Sequence, residues 1–314
     1  NGNIAAYGFI STIAQTGDSN AGNSGQLTLT ANNGNVSTGS LYTLSKADAD
    51  IGGNAGNVSI TGQDVLINEI FAFAEAIGNN SGNGGTVDIS ANTVEILSSI
   101  ITFSRAQRET QNAGNIAIIA PNSIDVGGQL TAYFLTTSGT NAGNGGTVSL
   151  VSNNITINNI DTWTRAEEWT PAYTNLGRPG SVTLAEFSDV AGSSIVANRI
   201  DTSSFSEEGG SRNGGNVAIT ADIVSLSAID TSSTADDDDN AGNGGNSSIQ
   251  GGQSVLVTSR LLTNSFADED NAGNGGTIDN TGDTVELLGN INTSSVDDDG
   301  QTGDAYFHPR RRPH

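Results

Sequence analysis

The sequence contains no cysteine and no methionine, and it has one lysine and two histidines. Both histidines, His308 and His314, lie within the last seven residues, so the body of the chain lacks imidazole and thiol groups alike. These absences exclude a Ser-His-Asp site, a cysteine nucleophile and a thiolate-rich or histidine-rich zinc site there. Chemistry that uses carboxylates alone is the enzyme class that this composition leaves open.

Basic residues and long apolar runs are scarce as well. No run approaches the roughly 18 apolar residues of a membrane span, and residues 1–6 lack the charged and then apolar pattern of a secretory signal. The 34 acidic side chains outnumber the 11 basic ones, which gives a formal net charge of −23. Such a charge repels phosphates and anionic membranes, so we expect neither nucleic acid nor membrane insertion.

What the sequence does have is an internal repeat. The tetrapeptide Asn-Ala-Gly-Asn recurs from positions 20, 54, 112, 141, 240 and 271, and a glycine precedes each following strand at intervals of 29 to 35 residues. We call these the anchor glycines: Gly25, Gly56, Gly85, Gly114, Gly146, Gly180, Gly215, Gly245 and Gly276.

Each repeat contains three short runs with alternating apolar residues. The pairs Val58/Ile60 and Val65/Ile67 illustrate the first two, and the third begins with an aliphatic residue followed two places later by Thr or Ala. The same residue type in the same place of every repeat predicts an all-β fold, a right-handed parallel β-helix (β-solenoid) of about ten rungs of ~31 residues with three strands each. We expect one solenoid domain over residues 1–302 and a non-repeat basic tail over 303–314.

The same pattern predicts the roles of the polar residues. Gly and Asn are expected to supply positive φ at the turns, and stacked Asn side chains are expected to form amide ladders. The Thr column of the third strand, from Thr162 to Thr293, shares the inward face with the aliphatic residues. This placement argues against ice binding, which would need regular outward Thr pairs.

The unit Gly-Asn-Gly-Gly-Thr-Val at 82–87 and 143–148, followed by an aliphatic strand and then Ile-Asp-Thr-Ser-Ser at 200–204 and 229–233, resembles a known class. It is similar to the repeats of filamentous-haemagglutinin-type exoproteins, the two-partner-secretion adhesins, especially the very large cyanobacterial ones. The resemblance covers about residues 1–302. It implies a parallel β-helix exported to the cell surface, with a role in adhesion or in a surface layer.

Carboxylates cluster in the turn after the third strand of several repeats. Like charges at the same place in successive rungs would form a column that attracts cations, and calcium accepts several carboxylates in loose geometry. Bound calcium and a merely solvated acidic edge both remain open, and no other cofactor is required. The candidate calcium ligands are Asp236, Asp237, Asp238, Asp239, Asp268, Asp270, Asp297, Asp298 and Asp299.

Aromatic residues recur three places after the third-strand aliphatic residue in the N-terminal half. Strict alternation would point them outward as a contact surface for another rod or a glycan. A kink would instead turn them into the core, and the sequence leaves both arrangements open. The candidate contact residues are Tyr7, Phe71, Phe73, Phe103, Tyr133 and Trp163.

From these features we expect a non-catalytic, secreted or cell-surface rod with a structural or adhesive role. Its partners would be further copies stacked end to end into a filament or matrix fibre, and a cell-surface glycan or matrix. The basic residues Arg310, Arg311 and Arg312 would then lie on the acidic turns of a neighbouring copy. The alternative is a β-helix protein that binds or degrades polysaccharide, because such proteins share the architecture and work with carboxylates.

Overall fold

The structure, a computed structural model, describes residues 2–17, 19–48, 50–136, 142–166, 176–188, 191–207, 209–236, 240–268, 270–297 and 306–311. These ranges contain β-strands and no α-helix, and hence no helix that could cross a membrane. The prediction of an all-β chain is confirmed.

The strands in chain order are β1 (Ile4–Ala6), β2 (Ile10–Thr16), β3 (Leu27–Thr30), β4 (Val36–Ala47), β5 (Val58–Thr61), β6 (Asp64–Phe71), β7 (Ala74–Ala76), β8 (Val87–Ser90), β9 (Thr93–Ile96), β10 (Ile100–Ile101), β11 (Ser104–Ala106), β12 (Ile116–Ile119), β13 (Ser123–Thr131), β14 (Phe134–Thr136), β15 (Val148–Val151), β16 (Asn154–Asp161), β17 (Thr164–Ala166), β18 (Val182–Ala185), β19 (Ser194–Asp201), β20 (Ser204–Ser206), β21 (Val217–Asp230), β22 (Ser233–Ala235), β23 (Ser247–Leu262), β24 (Ser265–Ala267), β25 (Thr277–Gly282), β26 (Thr284–Leu287), β27 (Asn290–Asn292), β28 (Ser295–Asp297) and β29 (Tyr306–Arg311).

The strands stack in parallel as a β-solenoid of about nine turns with roughly 30 residues per turn. Each strand pairs with the equivalent strand one rung away, as Val58 pairs with Val87 and Val87 with Ile116. The three strands predicted per rung are present, although β6 and other long strands join the second to the third. In most rungs a fourth short strand follows, and the inward residues of two of these strands, β7 and β11, are Ala or Ser.

The core is one continuous column of aliphatic side chains. In each strand alternate residues are buried, and a single cluster of buried residues runs from Leu27 to Ile278. Each large aliphatic side chain buried in this way contributes about 1.5–3 kcal/mol to folding. Asn280 breaks the pattern, because it takes the place of Ile249 in the next rung and is fully buried with neither amide atom hydrogen-bonded.

The anchor glycines are required by close packing of successive rungs. A Cβ added to Gly114 would lie far inside the van der Waals distance of the carbonyl oxygen of Gly85, and the other anchor glycines above Gly25 show the same clash. The expectation that the turn glycines serve to supply positive φ is therefore wrong for this column. Among the described residues, positive φ occurs at Asn33, Gly192 and Gly209.

In most rungs a buried threonine is hydrogen-bonded to the anchor glycine. The hydroxyl of Thr102 donates to the carbonyl oxygen of Gly114 at 2.6 Å, and Thr202 donates to Gly215 at 2.8 Å. Both threonines are completely buried, so the hydroxyl groups need these partners. The predicted inward orientation of the Thr column is confirmed.

The predicted asparagine ladder is also present. The side-chain oxygen of Asn54 accepts hydrogen bonds from the backbone N–H and the side-chain amide of Asn83, at 2.8 and 3.0 Å. Asn83 in turn accepts from the backbone N–H of Asn112 at 3.1 Å. The ladder thus links side chains to the backbone of the next rung more than it links amide to amide.

Part of the predicted basic tail belongs to the solenoid. Strand β29 pairs in parallel with β25, so Arg310 lies beside Thr281 and Arg311 beside Gly282 of the same chain. A tail separate from the rungs is therefore not what the structure has for residues 306–311. Arg312 lies outside the described residues, and contact of the arginines with a neighbouring copy stays a prediction.

The glycine packing predicts a position-specific effect of one methyl group. Gly114→Ala should lower the free energy of unfolding by at least about 2 kcal/mol, because the new Cβ meets backbone that can move only by separating two rungs. Gly22→Ala is the control, since nothing lies within 4 Å of a Cβ built there. Urea unfolding followed by circular dichroism compares the two, and equal midpoints would contradict the packing argument.

Candidate functional site

The aromatic residues of the repeat point outward from the solenoid. Phe103 lies between the buried residues Thr102 and Ser104, so it occupies the opposite face of the backbone, where it is half-buried. Phe73, Tyr133 and Trp163 occupy the equivalent place in their rungs and are half-buried in the same way. Of the two arrangements that the sequence left open, the structure has the outward one.

The outward rings stack on one another along the rod. Ring centroids are 4.4 Å apart for Phe73 and Phe103, 5.8 Å for Phe103 and Tyr133, and 4.2 Å for Tyr133 and Trp163, with planes within 13° of parallel. Phe71 contacts the edge of Phe73 from the adjacent column. We call the four stacked rings the aromatic column. Inside it each ring covers the faces of its neighbours, so solvent meets mainly ring edges.

The remaining candidate contact residue stands apart from this column. The expectation that Tyr7 belongs to the column is wrong, because Ile13 pairs with Leu44, which lies in line with Phe73, so Ile13 occupies that place in its rung. Tyr7 has 94% of its surface exposed, and it makes no ring contact with the column among the described residues. The structure therefore unites the other candidates and leaves Tyr7 separate.

The aromatic column ends at Trp163 because the next rung has a small residue there. Trp163 is followed by Ser203 and then Ser232 at the same place, as the pairing of the flanking residues fixes. One face of the indole packs on Tyr133, whereas the other faces a rung without a ring. The outward surface thus changes at Trp163 from a ridge of rings to a groove.

Three aspartates stack beside this step. Asp161 pairs with Asp201, and Asp201 with Asp230, in consecutive rungs on the outward side of the third strand. We call them the aspartate column. Each of the last two accepts hydrogen bonds from the serine two residues on, with Ser203 Oγ at 2.6 Å from Asp201 Oδ1 and Ser232 Oγ at 2.6 Å from Asp230 Oδ1.

Two arginines neutralise part of this carboxylate charge. The guanidinium of Arg199 forms an ion pair with Asp201, and Arg260 lies 3.7 Å from Asp230. Asp161 has no such partner in the described structure, and its buried Oδ1 accepts no hydrogen bond. Arg199 Nε is likewise buried without an acceptor. The column therefore holds polar atoms whose hydrogen-bonding capacity is unused.

Burial raises the pKa of Asp161 to about 6, the charge of Asp201 adds to the shift, and Arg199 opposes it. Burial also raises the pKa of Asp201, with a further contribution from the charge of Asp230, while hydrogen bonds from Ser203 and the charge of Arg199 oppose the rise. The common cause is that stacked carboxylates lose water and face one another. Around pH 6 the column therefore holds fewer negative charges than its composition suggests.

The groove beyond Trp163 has an aromatic and a polar wall. We call it the trough, lined by Trp163, Asp201, Ser203, Phe205, Asp230 and Ser232. Ser203 and Ser232 occupy the middle, with the aspartates on one side and Phe205 on the other. Arg165 and Arg199 stand at its edges, and the guanidinium of Arg165 lies over the Phe205 ring, 5.0 Å from its centroid.

Of the candidate calcium ligands that the structure describes, two lie next to each other. Asp236 and Asp268 follow the paired residues Ala235 and Ala267, so they occupy the same place in adjacent rungs. Asp297 differs, because it pairs with Ala267 itself and is buried on the inward side.

No group of three or more potential ligands for a metal occurs in the described ranges. Calcium binding at the acidic turns stays a prediction. Asp270 is exposed, and the other candidates lie outside the described residues: Asp237, Asp238, Asp239, Asp298 and Asp299.

The aspartate column and Phe205 are functional candidates that the sequence analysis did not identify. The repeated Ile-Asp-Thr-Ser-Ser carries the family resemblance, and its Asp and first Ser are also the residues that hydrogen-bond to each other in the trough. The alternation of side chains along the third strand indicates this arrangement, since Thr202 points inward and Asp201 and Ser203 on either side of it must then point outward.

Comparisons of the chain with protein-family models, with curated proteins and with solved structures gave no match.

The raised pKa of Asp161 predicts how stability depends on pH. A carboxyl whose folded-state pKa exceeds its unfolded value takes up its proton first in the folded state, so the free energy of unfolding rises as pH falls from about 7 to about 4. Asp161→Asn should raise the thermal midpoint at pH 7 and flatten its rise towards pH 5. Scanning calorimetry at a series of pH values measures both effects.

Asp125→Asn is the matched control, because it removes the same charge from an exposed site. It should leave the slope against pH close to that of the unaltered chain. Identical pH profiles for the two variants would show that the aspartate column is not the source of the effect.

Proposed function

We propose that the chain is a non-catalytic structural or adhesive rod that acts outside the cell, related to filamentous-haemagglutinin-type exoproteins. The observation that supports this most is the division between its inner and outer columns. The core aliphatic residues and the anchor glycines repeat from rung to rung, and the threonine bonds recur in most rungs. The outward column changes instead, from stacked rings to Ser. A constant scaffold with a varied surface suits a protein whose task is to present contacts along its length.

The second candidate is a β-helix protein that binds or degrades polysaccharide. Stacked carboxylates with a raised pKa at Asp161, next to an aromatic groove, favour it. Hydrolysis needs one protonated and one free carboxylate on either side of the bond that breaks. Asp201 is held by Arg199 and Ser203, and Asp161 does not line the trough, so binding is better supported than cleavage.

Attachment of coated beads tests the adhesive role. Beads carrying the folded chain should be retained on immobilised cell-surface polysaccharides at least about tenfold more than albumin-coated beads, since many copies act together. Beads carrying heat-unfolded chain are the matched control and should behave as albumin does. Equal retention of folded and unfolded chain would contradict the proposal, as would release of new reducing ends from the polysaccharide.

A further inference from the structure

The strongest unexplained feature of the surface is the open face of Trp163. Large aromatic faces are usually covered, and the other members of the aromatic column show this, with rings on both sides of Phe103 and Tyr133. Trp163 is covered on one side by Tyr133 and lines the trough on the other. A flat apolar platform therefore stands at the end of a groove whose middle is made of serines.

The polar atoms around this platform include both donors and acceptors. Asp201 and Asp230 offer carboxylate oxygens, and the hydroxyl oxygens of Ser203 and Ser232 keep acceptor capacity after donating to them. Arg199 lines the trough with a side chain that is 41% exposed, and its guanidinium group contributes N–H donors. A ligand that fits must present a flat apolar face to the indole and several hydroxyl groups along its edge.

Charge decides between the classes of ligand that aromatic grooves take. The trough and its edges hold two arginines, Arg165 and Arg199, and two aspartates, Asp201 and Asp230, so no net local field attracts an ion of either sign. The face of Phe205 is already occupied by Arg165, which removes the second wall of an aromatic cage for a cation. The formal charge of −23 disfavours an anionic ligand.

A neutral sugar ring meets these conditions. A pyranose with equatorial hydroxyl groups presents weakly positive C–H groups on its faces and hydroxyl groups around its rim, and the face of an aromatic ring is negative. Pockets for small ligands combine such apolar walls with a few placed polar groups. Serines continue the trough for one further rung, as Ser232 follows Ser203, which leaves room for more than one sugar of a chain.

We infer that the trough binds a neutral, β-linked glycan built of sugars with equatorial hydroxyl groups, with one ring stacked on the open face of Trp163. The neighbouring hydroxyl groups donate to the Ser203 and Asp201 oxygens and accept from Arg199. This inference deepens the proposed adhesive function, on which it rests, by naming a class of partner and the place where it binds.

Titration calorimetry with cellohexaose, a soluble β-1,4-linked glucose hexamer, tests the site. The full chain should bind it saturably with a Kd of about 1 mM or lower, as expected for one stacked ring and a few hydrogen bonds. Trp163→Ser should weaken binding at least about tenfold, since a buried Trp face dominates such contacts. Serine is the natural residue of this column in the next rung, at Ser203, so the fold accommodates it.

Phe103→Ser is the matched control, because it removes a ring whose faces are already covered. It should keep the affinity within about twofold, and circular dichroism checks that both variants fold. The chain has two tryptophans, and a second measurement uses Trp169→Phe, which leaves Trp163 as the remaining one. Its fluorescence should then change along the same binding curve.

The outcomes separate this site from the proposed function. Three results would overturn the trough assignment, regardless of the result of the bead-attachment experiment. They are absence of cellohexaose binding, equal affinity of Trp163→Ser and the unaltered chain, and displacement of the glycan by tetramethylammonium. Binding that depends on Trp163, found together with coated beads that do not adhere, would sustain the site and contradict the adhesive function. Adhesion of beads that carry the unaltered chain, found together with no cellohexaose binding by that chain, would contradict the site and sustain the adhesive function.

Discussion

The stacking of each rung directly on the previous one is the constraint on which the structure depends. At the anchor glycines that follow Gly25 the backbones of successive rungs approach so closely that no side chain fits, and in most rungs a buried threonine hydroxyl donates to the carbonyl oxygen at this point. This contact fixes the register of the whole rung. Since side chains alternate along a strand, the register then decides which residues enter the core and which form outward columns.

The outward columns follow from this register, and so does the step at Trp163. A ring stacks on the ring below only because both occupy the same place in successive rungs, as Tyr133 and Trp163 do. The same geometry that aligns rings also aligns aspartates, where it is unfavourable. Asp161 and Asp201 lie one above the other with little water between, and the raised pKa of both is the consequence.

Much of this fold could be predicted from the sequence, because columns of equal residues are visible as a period. Val58, Val87 and Ile116 pair as their spacing from the anchor glycines predicts. The fourth strand was missed since its inward residues are Ala and Ser, as in β7 and β11, which carry little strand signal. The role of the anchor glycines could not be predicted correctly, because close approach of two rungs and a positive φ both favour glycine and look the same in a sequence.

The trough could not be predicted because it depends on what is absent from a neighbouring rung. Ser203 alone is an ordinary polar residue, and only its place beyond Trp163 leaves an indole face open. The pKa of Asp161 likewise depends on burial by residues from other rungs. Such properties belong to pairs of rungs, whereas the sequence displays each rung by itself.

The register of the rungs is the central claim, and a distance between two outward residues tests it most directly. The chain has no native cysteine, so Glu95→Cys and Glu286→Cys can carry spin labels in a single variant. Their places are joined by consecutive one-rung pairings through Asp125, Thr156, Val196, Ser225 and Leu256. Pulsed electron paramagnetic resonance should give a narrow distribution near 29 Å, roughly six strand spacings. A broad distribution, or one centred well away from that value, would contradict a solenoid in this register.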